Sequence, residues 1–325
     1  MKKFRITWLV IVALAVIVFA GYRFVQTRRA DSSGPVFSCD ETELEVSIED
    51  GEDVLLEGVT ASDRKDGDVT SSILVEGLSN FYDGGKRIVT YAAFDSDNHI
   101  SKMEREVTYT DYVSPRFELT GSLRFRAGQT VNVDQIVRAA DCLDGDISNK
   151  VKILMDETIN TRVTGLYQIT YEVTNSAGDT ATLPVEVEIY EPSANEVELN
   201  LSQYLVYYDG QPINYTDYLQ SVRAGSIEYP FEGVELEGTT DTTDTAEENT
   251  ADEETAEDTA DGSAEEGQEE EQTVSGSAIP RSRVTVRSTQ VNTSVPGVYP
   301  VYFYYSDIDE GFEREATEVM YVVVE

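Results

Sequence analysis

Leu183, Val185, Val187 and Ile189 alternate with Pro184, Glu186, Glu188 and Tyr190, and Tyr167, Ile169, Tyr171 and Val173 alternate with Gln168, Thr170, Glu172 and Thr174. A period of two with one apolar face marks a half-buried strand. Such runs, parted by Gly, Asp and Asn turns, fill the chain after its first segment, and helical periodicity there is weak. The pattern predicts an all-β protein of antiparallel sandwiches.

The first segment differs. Ile6 to Tyr22 contains no charged residue. As a helix it reaches roughly 25 Å, enough to span a membrane when flanking residues snorkel. Lys2, Lys3 and Arg5 precede it and Arg23, Arg28 and Arg29 follow, so basic flanks leave orientation nearly balanced. The long acidic β-rich remainder is expected outside the cytoplasm. Trp8 reads as an interfacial anchor. Val18-Phe19-Ala20 has a signal-peptidase pattern, but no polar stretch separates it from the apolar run. An uncleaved single-pass anchor is the expectation, and a cleaved signal the alternative.

Asp63-Arg64-Lys65-Asp66-Gly67-Asp68 recurs as Asp141-Cys142-Leu143-Asp144-Gly145-Asp146. Val59-Thr60-Ala61 and Val137-Arg138-Ala139 precede the two copies, Val89-Thr90-Tyr91 matches Ile169-Thr170-Tyr171, and Pro35 and Phe37 pair with Pro115 and Phe117. A unit has been duplicated. A third copy emerges when an insertion is allowed: Val222-Arg223-Ala224 matches Val137-Arg138-Ala139, and Gly297-Val298-Tyr299 matches Gly165-Leu166-Tyr167. The expected organisation is an anchor over residues 1–29, then sandwiches over 36–112, 115–191 and 196–325, the last split by an insertion at about 237–278.

Charge sharpens this picture. The net charge is −38, which argues against nucleic-acid binding through phosphate repulsion. About eighteen acids lie between Glu232 and Glu271. From Glu237 to Gln272 there is no Lys or Arg, and so little apolar surface is available that disorder is expected. The insertion is expected to replace the acidic hexapeptide turn of the earlier copies.

The run V-x-A-x-D-x-x-D-G-D-[VI]-[TS], followed by G-x-Y-x-[VI]-T-Y in the later copy and a D/N-S-x-x-D/N turn, resembles the bacterial immunoglobulin-like domains repeated in surface proteins, including one in pesticidal crystal toxins and the related hyalin repeats. The resemblance covers Pro35 to Tyr190 well and rests on later strands in the third copy. It implies Ig-like sandwiches serving as spacer, stalk or adhesion module, with no catalytic residues to transfer.

In Ig topology the B–C and F–G loops share one pole. Asp63, Asp66, Asp68, Asp95 and Asp97 are therefore expected together at one end of the first domain, and Asp141, Asp144, Asp146 and Asp179 where the second meets the first. Such carboxylates could hold Ca²⁺. The spacing fails the EF-hand pattern, since Leu74 and Lys152 stand at its twelfth position. The competing reading is that Asp-Gly runs simply make tight turns.

His99 is the only histidine and reads as a solvated turn residue. No Ser-His-Asp set, zinc motif, C-x-x-C or P-loop is present, so an enzyme is not expected and no further cofactor is implied. Cys39 and Cys142 occupy non-equivalent places and read as unpaired. Of the nineteen tyrosines, alternation places Tyr299 and Tyr305 on the face with Phe303 and leaves Tyr302 and Tyr304 on the other. Exposed members could stack on sugars or meet a protein. The C-terminal Tyr321-Val322-Val323-Val324-Glu325 has no sorting signal, so attachment is expected through the N-terminal helix. The expected function is a membrane-anchored surface spacer or adhesion module for an extracellular protein or glycan. An accessory subunit of an envelope complex, or a secreted binding protein after cleavage, is the alternative.

Overall fold

The computed structural model describes residues 2–29, 33–40, 42–155, 157–236, 240–241, 274–309 and 312–325. Its contacts form two compact bodies. One comprises Met1–Pro115 with the loops Asp141–Gly145 and Thr174–Thr180, and the other holds Arg116–Ala140, Asp146–Val173 and Ala181–Glu325.

The first body opens with helix α1 (Lys2–Arg29). Its described side chains are Trp8 and residues 11–24, and the large apolar ones, among them Ile11, Leu14, Ile17 and Phe19, are all exposed. Among the described residues no helix is long and apolar enough to cross a membrane. Seven strands follow: β1 (Val36–Cys39), β2 (Glu43–Val46), β3 (Val59–Asp63), β4 (Gly67–Asp68), β5 (Leu74–Leu78), β6 (Lys86–Phe94) and β7 (Ile100–Tyr109). They make two sheets, β1-β3-β4 and β2-β7-β6-β5. Alternation does what the sequence requires: Val59, Ala61 and Asp63 are buried while Thr60 and Ser62 are exposed. Val46, Leu55, Val59, Val89, Tyr91 and Val107 form the core.

The second body repeats the plan. Strands β8 (Arg116–Leu119), β9 (Arg124–Arg126), β10 (Val137–Asp141), β11 (Gly145–Asp146), β12 (Lys152–Met155), β13 (Gly165–Thr174) and β14 (Thr180–Tyr190) form sheets β11-β10-β8 and β12-β13-β14-β9. Leu183, Val185, Val187 and Ile189 are buried, as are Tyr167, Ile169, Tyr171 and Val173. Equivalent tyrosines close the two cores: Tyr91 donates to Leu55 O at 2.6 Å and Tyr171 to Val133 O at 2.8 Å.

The remaining strands are β15 (Glu198–Leu201), β16 (Leu205–Tyr208), β17 (Leu219–Ala224), β18 (Ile227–Pro230), β19 (Thr240–Asp241), β20 (Val274–Ser275), β21 (Val284–Arg287), β22 (Gly297–Asp309) and β23 (Phe312–Val324). They form sheets β15-β17-β18-β20-β19 and β16-β23-β22-β21. One strand order thus occurs three times. In each case the first strand pairs antiparallel with the third, as in β1–β3, β8–β10 and β15–β17. In each case the second runs parallel to the last, with Leu44 opposite Val107, Ile189 opposite Phe125 and Leu205 opposite Tyr321. The second and third sheet pairs share one continuous core. Phe303 and Tyr305 are buried in it, whereas Tyr302 and Tyr304 are half-buried on the opposite face.

The place of the insertion corrects the expectation. In the first two copies the hexapeptide turn is followed by a short 3-10 turn, Thr70–Ser72 or Ser148–Lys150. In the third, a tight turn at Gly225 (φ +64°) joins β17 to β18, and the matching 3-10 turn is Arg281–Arg283. The extra chain therefore follows the turn and does not replace it. Matching residues at Ala224 and Gly297 bracket the added length but carry no register inside it. The expected disorder of Glu237 to Gln272 lies outside the described residues, apart from Thr240 and Asp241.

Candidate functional site

The acidic hexapeptide builds the same latch in both copies. Asp63 Oδ1 accepts the Lys65 and Asp66 backbone N–H groups at 2.7 and 2.9 Å, and Asp141 Oδ1 accepts those of Leu143 and Asp144 at 2.9 and 3.0 Å. Each aspartate thereby closes its own turn. Gly67 (φ +75°) and Gly145 (φ +69°) supply the left-handed step that a side chain would strain.

The second aspartate reaches across to the F–G loop. Asp66 accepts Ser96 N–H at 2.9 Å and the Ser96 hydroxyl at 2.8 Å, while Asp144 accepts the same groups of Ser176 at 2.8 and 2.6 Å. The third starts the 3-10 turn: Asp68 accepts Thr70 N–H and Asp146 accepts Ser148 N–H, both at 2.9 Å. The Ser96 backbone N–H, then its hydroxyl, hold the Asp66 carboxyl below its usual range, and the hydroxyls of Thr70 and Ser148 do the same for Asp68 and Asp146.

Two copies of one latch, at the same strand positions, identify the unit. The model of the family "Bacterial surface protein, Ig-like domain" matches residues 41–109 and 121–189. Residues 41–109 and 121–189 are bacterial surface Ig-like domains. The pesticidal crystal protein Cry22Aa of Bacillus thuringiensis is 30% identical over 153 residues, which are 45% of this chain and 21% of that protein. The match thus spans about a fifth of that relative's length. Among solved structures, the M60 catalytic domain with two CBM51 domains of Clostridium perfringens ZmpB is 12% identical with a TM-score of 0.21, over 53% of this chain and 34% of that one. The protocadherin GammaB4 extracellular domain is 12% identical with a TM-score of 0.19, over 91% of this chain and 50% of that one.

The two Ig-like domains differ at the pole. In the second, Asn175 Oδ1 accepts Ala177 and Asp179 N–H groups at 3.0 and 2.9 Å. Its Nδ2 donates to Asp141 Oδ2 at 3.1 Å and to the Tyr112 hydroxyl at 3.0 Å. Tyr112 donates in turn to Asp179 Oδ2 at 2.6 Å and stacks on Phe81 at 3.7 Å between ring centroids. Tyr112, Phe81 and both loops lie in the first body. Burial, then the bond to Asp179, pushes the Tyr112 phenol well above its usual value.

In the first domain Asp95 stands where the second has Asn175. Its Oδ1 accepts Asp97 and His99 N–H groups at 2.9 and 2.8 Å, and Oδ2 lies 2.7 Å from His99 Nδ1. Burial raises its carboxyl, but the bonds from the His99 N–H and ring outweigh this and hold it low. His99 is thus half-buried against Asp95, not the solvated residue the sequence suggested. With no amide donor here, Asp63 Oδ2 is buried and, among the described residues, has no hydrogen-bond partner. Lys65 Nζ reaches Asp97 Oδ2 at 2.6 Å across the pole.

The two loops of a pole are joined through Asp66 and Ser96 and through Lys65 and Asp97 in the first domain, and through Asp144 and Ser176 and through Asp141 and Asn175 in the second. Asp68 and Asp146 turn to their own 3-10 turns. Among the described residues no three His, Cys, Asp or Glu side chains are arranged to hold a metal ion. Among the described residues Cys39 and Cys142 form no disulfide, and the Cys142 thiol donates to Val113 O at 3.1 Å. Sequence reasoning missed Tyr112 and Asn175. The two serines lay inside a recognised turn motif, but their partners were not legible.

Proposed function

We propose that the chain is a cell-surface protein, held to the membrane by α1, in which Ig-like modules carry a binding surface outward for adhesion to a protein or glycan. The observation that carries this reading is the duplicated surface-protein Ig-like domain with its latched poles. The described side chains of α1 from Ile11 to Tyr22 carry no charge and are all exposed, which supports the anchor, because a helix exposing apolar groups all round calls for lipid or an equally apolar partner. In the sequence the run without charge reaches from Ile6 to Tyr22. The latches support a mechanical role: hydrogen-bonded loops hold each pole in one shape, as a spacer requires.

No catalytic constellation enters this reading, and binding is its whole chemistry. Fractionation of cells making the full chain tests it. The protein should sediment with membranes and resist carbonate washing, and a variant lacking residues 2–29 should be lost from them. Full release of the intact chain by carbonate would overturn the anchor.

A further inference from the structure

Three arginines converge on one cleft of the second body, in a chain with 62 acidic and only 24 basic residues. Arg126 comes from the end of β9, Arg223 from β17 and Arg314 from β23, and the cleft they line has a volume of about 660 Å³. Glu198 on β15 holds two of them. Its Oε2 lies 2.9 Å from both Nε and Nη2 of Arg223, and its Oε1 3.6 Å from Arg126 Nη2. Arg314 places its guanidinium 5.3 Å from the Tyr229 ring and, among the described residues, makes no ion pair. Ala194, Ala224 and Gly225 line the same cleft and leave it room.

Glu196, the other carboxylate of the cleft, lies 4.0 Å from Arg124, which also holds Glu188 at 2.7 Å. The cleft itself thus carries a surplus guanidinium, preorganised by neighbours on other strands. At physiological salt the screening length is about 8 Å, so the acidity of the distant chain does not cancel this local charge. A guanidinium fork suits a carboxylate better than any neutral group.

We propose that this cleft binds an acidic saccharide, with a uronate carboxylate on Arg314 and Arg126 and its ring hydroxyls on the Asn195 side chain. The inference rests on the adhesion reading and names its ligand class. An acidic peptide fits less well because the backbone edge here is taken: Val197 N–H donates to Glu315 O at 2.9 Å and Glu315 N–H to Asn195 O at 3.2 Å. A neighbouring cleft of about 470 Å³ shares Glu196 and offers Tyr190, Tyr304, Ser193 and Ser306 to further sugar units.

Calorimetry on the full chain tests this with tetragalacturonate, neutral maltotetraose and tetraglutamate as probes. Tetragalacturonate should bind saturably, at least fivefold more weakly in 0.5 M than in 0.15 M NaCl, and maltotetraose should give no heat. R314Q should weaken binding at least tenfold with an unchanged melting temperature. A194W, which fills the cleft without altering charge, should abolish it. Absence of saturable binding, equal affinity of R314Q and the parent chain, or equal binding of tetraglutamate would overturn the proposal. Cells displaying R314Q, assayed for adhesion in parallel, separate the two readings: adhesion that persists without any uronate binding sinks this inference and leaves the surface role standing.

Discussion

The hydroxyl of Tyr112 donates to Asp179 Oδ2 at 2.6 Å while accepting from Asn175 Nδ2 at 3.0 Å. One phenol thus ties the segment after β7 to the F–G loop of the second Ig-like domain, within a single body. Y112F keeps the stack on Phe81 and removes both bonds. The expected loss is about 1 kcal/mol, read as roughly fivefold faster amide exchange at Ala177 and Asp179. Y112A also loses the aromatic contact and should accelerate exchange further. Unchanged protection in both variants would show that Tyr112 is a bystander.

Asp95 and Asn175 are the same position used in two ways. D95N gives Asp63 Oδ2 the donor that Asn175 gives Asp141, and surrenders only a half-exposed contact to His99. The expected gain is about 1 kcal/mol, a rise of roughly 4–8 °C in the melting of the first domain. A fall in melting temperature would mean that the His99 contact outweighs the orphaned oxygen.

Acid should loosen the latches. Asp66, Asp68 and Asp146 have folded pKa values below their unfolded ones. Their contribution is complete above the unfolded value, near 4, and is lost as pH falls through the folded values, because the unfolded chain then binds more protons. Thermal melts between pH 6 and 2.5 should show this decline, and S96A should reduce its slope. A flat profile over that range would contradict the latch account.

Glu318 moves the other way. It is buried in the second body, and burial raises its carboxyl to about 7 against bonds from its own Val319 N–H and from Ser122. The folded state holds this proton more tightly than the unfolded one. Its contribution is therefore full below the unfolded value, about 4.5, and is lost as pH rises through 7. E318Q should remove a pH-dependent loss on the order of 3 kcal/mol and make the second body more stable than the parent at pH 8. Parallel stability profiles for the two chains would refute the shift.

Much of this was legible in the residues. Strict alternation at Leu183–Ile189 fixed an inward face, and Ig topology brought Asp66 and Ser96 to one pole before any distance was known. What stayed hidden depends on long-range packing. Tyr112 belongs to no strand pattern and gains its role only when Asp179, 67 residues on, arrives beside it. Glu318 sits in an alternating run where a carboxylate signals solvent, yet Ser122, 196 residues away, covers it. The insertion was misplaced because a Gly225 turn makes the same reversal as an acidic hexapeptide with unrelated residues.

Cys142 offers the most direct test of the surface assignment, since this residue is exposed beside the latch. Intact cells making the full chain should be treated with a membrane-impermeant maleimide, with C142S as control. The account predicts cell-associated protein labelled at Cys142 without lysis, whereas labelling only after the cells are broken open would contradict it.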